Sequence, residues 1–156
     1  MQGERVKTPC VGLCSTVYGD VVCRGCKRFH HEVVDWNGYD EEAKRAVWRR
    51  LESLLVQVIS SRVEVFDLPR LKNELSARSM LPKDSHNAYF LAYRLIQRGA
   101  GQISDLTAYG VAVTREFQDV SLTTLRDAIE QEYFLLSQAH YQRYIEPGLL
   151  LNSEAK

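Results

Sequence analysis

Four cysteines fall within the first 26 residues, spaced Cys10-x3-Cys14-x8-Cys23-x2-Cys26, and the rest of the chain contains none. Thiolates bind borderline and soft cations well, and two close pairs joined by a short segment bring four sulfurs to one centre at little cost in chain entropy. The chemistry this spacing suits is metal ligation. In a reducing compartment clustered thiols hold metal rather than form structural disulfides. Cys23-Arg24-Gly25-Cys26 has the form of a metal knuckle, in which Gly25 takes the positive φ that turns backbone N–H groups toward sulfur. Four thiolates around a dication leave a net negative centre. Arg24, Lys27 and Arg28 stand beside it in sequence as candidates to offset that charge, and His30 is a candidate alternate ligand or donor to a ligand. One centre per chain is expected, holding zinc or an iron–sulfur cluster, since spacing alone does not separate the two.

The residues that must position these sulfurs come next. Ser15 to Val22 places β-prone residues on either side of Gly19-Asp20, which predicts a tight hairpin with the cysteine pairs at its base. A short helix through Glu32 to Trp36 ends near Asn37-Gly38. Another starts at Asp40, an N-cap residue followed by Glu41 and Glu42 at the positive end of the helix dipole. Ala43, Val47, Leu51, Leu54, Val58 and Ile59 recur on one face of this second helix. Lys44, Arg45, Arg49 and Arg50 occupy the rest. Trp36 and Trp48 are expected to pack the cysteine segment onto it.

Taken together, several stretches closely resemble the family called domain of unknown function 1289. They are Thr8-Pro9-Cys10-Val11-Gly12-Leu13-Cys14, Cys23-Arg24-Gly25-Cys26-Lys27-Arg28, Glu32-Val33, Trp36 and the acidic start Asp40-Glu41-Glu42. The resemblance covers residues 8 to 55. It implies a small bacterial cytosolic protein of a kind described as predicted iron–sulfur proteins, with metal on Cys10, Cys14, Cys23 and Cys26, and it implies no activity. One departure stands out: the family usually has Thr at the position of Phe29, where with Glu32 it would form a capping box.

Beyond residue 62 the pattern is helical. Val63 to Phe66 alternates as a short strand does, and Asp67-Leu68-Pro69 reads as a helix start carrying Leu68, Leu71 and Leu75. Further helices are predicted from Asp84 or Ser85 to Arg98 and from Ile103 to Tyr109, each closed by glycine. The longest runs from Ser121 to Ile145, with Leu122, Leu125, Ile129, Leu136 and Ala139 on or near one face, before Glu146-Pro147-Gly148 stops it and a loose tail follows. The predicted fold is mainly α. A four-cysteine metal-binding hairpin module over residues 1–38 docks on a helical body over residues 39–156, and residues 39–62 of that body continue the family match.

Composition excludes several functions. Twenty Lys and Arg balance twenty Asp and Glu, so no whole-chain basic field marks a nucleic-acid binder. The polar N-terminus and short apolar runs give neither a signal peptide nor a membrane span, which predicts a cytoplasmic protein. Phosphate-loop, dinucleotide, zinc-protease and serine-elbow motifs are all missing from the sequence, leaving no catalytic residues to nominate. The remaining reading is a non-enzymatic protein-interaction module, with an iron–sulfur redox or sensor protein and a nucleic-acid-binding module as alternatives. A local basic patch of Arg24, Lys27 and Arg28 with Arg45 and Arg49 is the expected contact. A protein is the favoured partner, and the oligomeric state is left open.

Overall fold

A computed structural model describes residues 6–12, 14–82 and 87–148 of the 156-residue chain. The protein is mainly helical. In chain order the elements are α1 (His30–Asp35), α2 (Glu41–Ile59), β1 (Val63–Val65), α3 (Leu68–Ala77), α4 (Ala88–Gly99), β2 (Val111–Val113) and α5 (Leu122–Tyr144). Single 3-10 turns occur at Ser15–Tyr18, Trp36–Gly38, Leu106–Tyr109 and Arg115–Phe117. The chain divides into two units, Met1–Leu51 with Glu132–Lys156, and Glu52–Gln131.

In the first unit α2 begins as its sequence dictates, with the Asp40 carboxylate accepting the Ala43 N–H at 2.7 Å. Val47, Trp48 and Leu51 are buried along it, and the Tyr133 hydroxyl from α5 donates to the Leu51 carbonyl at 2.7 Å. A small apolar core forms from Val22, Phe29 and Phe134, with Tyr141 and Ile145 packed against it. The expected hairpin across Gly19-Asp20 is not what forms. Ser15–Tyr18 winds into a 3-10 turn, and Gly19, at φ 99°, closes it with its N–H on the Thr16 carbonyl. Strand propensity is realised only against a partner strand, and among the described residues Val17 and Tyr18 have none; they lie 72% and 86% exposed. The chain reverses later, across an antiparallel bridge between Val22 and Phe29, with His30 N–H on the Val21 carbonyl and Cys23 N–H on the Arg28 carbonyl, both at 2.8 Å. Cys23 to Cys26 therefore form the tip of the reversal rather than its base.

Phe29 has no side-chain acceptor, so α1 is capped from one direction only. The Glu32 carboxylate returns to the Phe29 N–H at 2.8 Å.

The second unit contains a two-stranded antiparallel sheet pairing Val63 with Val113 and Val65 with Val111. Its partner strand β2 was not legible, because three residues after a glycine carry too little alternation to read. The turn before it, expected as a helix from Ile103, is the 3-10 segment Leu106–Tyr109. Here Asp105 caps through its carboxylate to the Thr107 N–H, and Gly110 at φ 79° ends the turn. Asp67 caps α3, whose Leu71 and Leu75 are fully buried, and Asn87 caps α4. The predicted start of α4 at Asp84 or Ser85 lies outside the described residues, and so does the tail after Gly148. Along α5, Leu125 and Ile129 are buried in this unit, and Tyr133, Phe134 and Ser137 in the first; Ala139, expected on the apolar face, is exposed.

Candidate metal centre

Each cysteine sulfur has a hydrogen-bond partner close by in sequence, a backbone N–H for Cys10, Cys23 and Cys26 and a side-chain hydroxyl for Cys14. Cys10 Sγ accepts the Gly12 N–H at 3.4 Å, a contact that Gly12 makes possible by adopting φ 93°. Cys14 Sγ lies 3.0 Å from the Thr16 hydroxyl. Three backbone N–H groups, of Ser15, Gly25 and Cys26, point at Cys23 Sγ, and the backbone N–H of Arg28 points at Cys26 Sγ. Arg28 adds its side chain, with Nε 3.3 Å from the same sulfur. Cys23 and Cys26 are buried, Cys14 is half-buried and Cys10 is exposed.

The two buried cysteine side chains are hydrogen-bonded to each other. The Cys26 S–H donates to Cys23, which with the three backbone donors holds the Cys23 thiol far below the ordinary range, against the opposing effect of burial. Cys26 is pushed up because it keeps that proton and is buried, and Arg28 only partly offsets this. Among the described residues no three His, Cys, Asp or Glu side chains gather into a metal-binding group, so Cys10 and Cys14 are not drawn up to the Cys23–Cys26 pair. Cys14 is nonetheless one peptide bond away from an N–H on Cys23 Sγ, that of Ser15, whose hydroxyl also accepts the Arg24 N–H at 2.8 Å. The donor chemistry around all four sulfurs fits thiolates, which is what a bound metal requires.

The knuckle departs from the expected backbone. Gly25 does not have the positive φ; Lys27 does, at 69°. Its side chain is fully buried and folds back, with Nζ 2.6 Å from the Arg24 carbonyl and 3.2 Å from the Gly25 carbonyl. Lys27 and Arg28 are thus interior, which removes both from the expected basic contact patch; the Arg28 guanidinium lies over Trp36 at 5.0 Å. Arg45 and Arg49 are exposed on α2. Arg24 is exposed too, paired with Asp20 at 3.4 Å and stacked on Phe134 at 4.3 Å. His30 is exposed, and with His31, Asp20, Val21 and Tyr141 it lines a cleft of about 450 Å³.

Two parts of the site had no sequence signal. One is the Ser15–Thr16 pair that serves Cys23 and Cys14. The other is Arg50, placed by periodicity on the solvated face of α2, whose guanidinium instead makes two bonds to the buried Glu32 carboxylate at 2.5 and 2.7 Å and covers Phe29 at 3.9 Å.

The cysteines, the knuckle and the Glu32–Arg50 pair all fall inside one recognised segment. Residues 8–55 match the model of the family described as protein of unknown function (DUF1289). No curated protein and no solved structure matches the chain. The DUF1289 segment is under half of the chain, and the second unit lies almost wholly beyond it. Among the described residues no helix is long and apolar enough to cross a membrane.

A pH dependence follows from His140, whose ring stacks on Phe29 at 6.2 Å behind the DUF1289 knuckle. Burial, then the nearby Arg50 charge, lower its pKa below the usual 6.5, with Glu32 acting in the opposite direction. The unfolded chain therefore takes up this proton first. The stabilising contribution is complete above about pH 6.5 and is lost as pH falls from there toward the folded-state value. The urea midpoint, followed by tryptophan fluorescence, should drop between pH 7.5 and 5.5, and less steeply in His140→Phe. Identical slopes in the two proteins would discard the assignment.

Proposed function

We propose that Cys10, Cys14, Cys23 and Cys26 together hold one metal centre, and that this centre fixes the DUF1289 segment as a non-enzymatic protein-interaction module. One observation carries the reading: Cys10, Cys23 and Cys26 each accept from N–H groups, three of them backbone N–H groups on Cys23 alone, and Cys14 lies within hydrogen-bond distance of the Thr16 hydroxyl. Such donors lower the cost of four neighbouring negative sulfurs and are the usual companions of metal-bound thiolates. A module of this size buries little apolar surface, so metal binding is a natural source of its order.

The partner face combines exposed apolar and basic groups. Val17 and Tyr18 on the 3-10 turn are well exposed, and Arg24 stands a few residues away. An apolar centre with basic neighbours suits a protein surface better than a phosphate backbone. Arg45 and Arg49 are further exposed cations of the same unit.

Metal content tests the reading. Anaerobically purified protein should contain one metal centre, colourless with one equivalent of zinc or brown with visible absorbance for an iron–sulfur cluster. Each Cys→Ser change should abolish stoichiometric binding and the near-ultraviolet dichroism of Trp36. Chelation should leave the helices of Glu52–Gln131 intact, since that unit contains no cysteine. Full metal retention after any one of the four replacements would break the four-cysteine assignment and make His30 the leading substitute ligand.

A further inference from the structure

We infer that Lys27 is a positioning residue for the metal-binding sulfur of Cys23, acting across two peptide planes without touching the sulfur. The inference rests on the four-cysteine reading above.

The geometry is set by chain connectivity. The Lys27 ammonium donates to the carbonyls of Arg24 and Gly25. Those carbonyls belong to the two peptide units whose N–H groups are on Gly25 and Cys26. In a trans peptide the C=O and N–H point in opposite directions. Both of these N–H groups point at Cys23 Sγ. A cation therefore sits on the carbonyl side of two peptides and a sulfur on their N–H side, so each peptide dipole is aligned with the field between them. The ammonium locks the orientation of both planes and strengthens both N–H···S bonds.

Other features of Lys27 agree with a dedicated role. A lysine is almost never fully buried unless its charge is engaged, and this one has no exposed surface. It also adopts φ 69°, a conformation that disfavours a side chain with a Cβ, where glycine would serve the turn alone. The Tyr133 ring lies 5.1 Å from Nζ, closing the space behind the ammonium. By contrast the Ser15 N–H on Cys23 and the Arg28 N–H on Cys26 belong to other peptide units, those with the carbonyls of Cys14 and of Lys27 itself.

That contrast supplies the test. The full-length protein is loaded with Co²⁺ and its affinity measured by competition with a chromophoric chelator. It is also loaded with ¹¹³Cd²⁺, and the couplings between the metal and backbone amide protons are read by NMR. Lys27→Met should weaken Co²⁺ binding about 10–100-fold, the range expected for a residue supporting a ligand. Couplings at the Gly25 and Cys26 amides should fall, while those at Ser15 and Arg28 stay. Lys27→Gln, which keeps a donor for the carbonyls without the charge, should lie between. Wild-type affinity in either folded variant overturns the inference, and so does a uniform loss at all four amides, which is the mark of a generally loosened fold. Missing couplings at Gly25 and Cys26 in the wild-type spectrum would refute the geometry by themselves, whether or not the variants fold. A wild-type protein that takes up neither Co²⁺ nor Cd²⁺ refutes the metal reading itself, and this inference with it.

Discussion

Replacing Arg50 by methionine should cost the first unit about 3–5 kcal/mol, the range for breaking a buried ion pair by removing one partner. Glu32 is 5% exposed and spends one carboxylate oxygen on both the Phe29 N–H and Arg50, the other on Arg50 alone. Without the guanidinium a charged carboxylate is left in an apolar setting beside Phe29. Total stabilities of domains are about 5–15 kcal/mol, so the loss is a large fraction of what exists. Both tryptophans, Trp36 and Trp48, lie in this unit, which makes their fluorescence in urea the direct measurement. Arg49→Met is the control: that side chain is exposed, and its removal should stay within about 0.5 kcal/mol. Equal effects from the two changes would show that the Glu32–Arg50 pair does not hold the cysteine segment to α2.

In the second unit the largest effect is expected from Gly110→Ala. A Cβ there would lie 2.3 Å from the Asp67 carbonyl oxygen, a backbone atom that cannot swing aside, and the residue would have to keep φ 79°. The Gly110 carbonyl also accepts the Phe66 and Asp67 N–H groups at 3.0 and 3.2 Å, so a shift of this turn disturbs the start of α3 and the end of β1 together. The left-handed conformation and the overlap sum to about 2–5 kcal/mol. Amide exchange of β1 and β2 should accelerate accordingly. Gly101→Ala, in open space with no φ constraint, is the comparison and should leave exchange unchanged.

How far the sequence foretold this molecule varies by element. The start of α2 was legible because Asp40 caps it and Val47, Leu51, Leu54 and Val58 repeat at helical spacing, signals that are local. The start of α3 was legible for the same reason at Asp67-Leu68-Pro69. The 3-10 turn at Ser15 was not, since whether Val17 and Tyr18 pair depends on a strand that would have to come from elsewhere in the chain. Lys27 and Arg28 carried the signal of a solvated patch, because Lys and Arg are usually exposed; only a carbonyl cage or a thiol within reach makes burial tolerable, and both depend on the reversal at Val22 and Phe29. Arg50 was misplaced by the same rule. The cysteine spacing predicts a centre of four thiolates; among the described residues Cys23 and Cys26 form a buried pair, and Cys10 and Cys14 do not join it.

The N-terminal approach to Cys10 has a bearing on how readily its exposed thiol finds company. The Val6 N–H is held by the Glu41 carboxylate at 2.5 Å, the Lys7 carbonyl accepts the Trp48 indole N–H at 2.8 Å, and Pro9 is buried. A chain pinned three residues before a reactive group behaves as a short tether, and short tethers give effective concentrations on the order of millimolar. Cys10 therefore searches a small volume next to α2 rather than the surrounding solution. A thiol in solution with the same affinity would have to exceed that local concentration to replace Cys10 on a partner held beside α2.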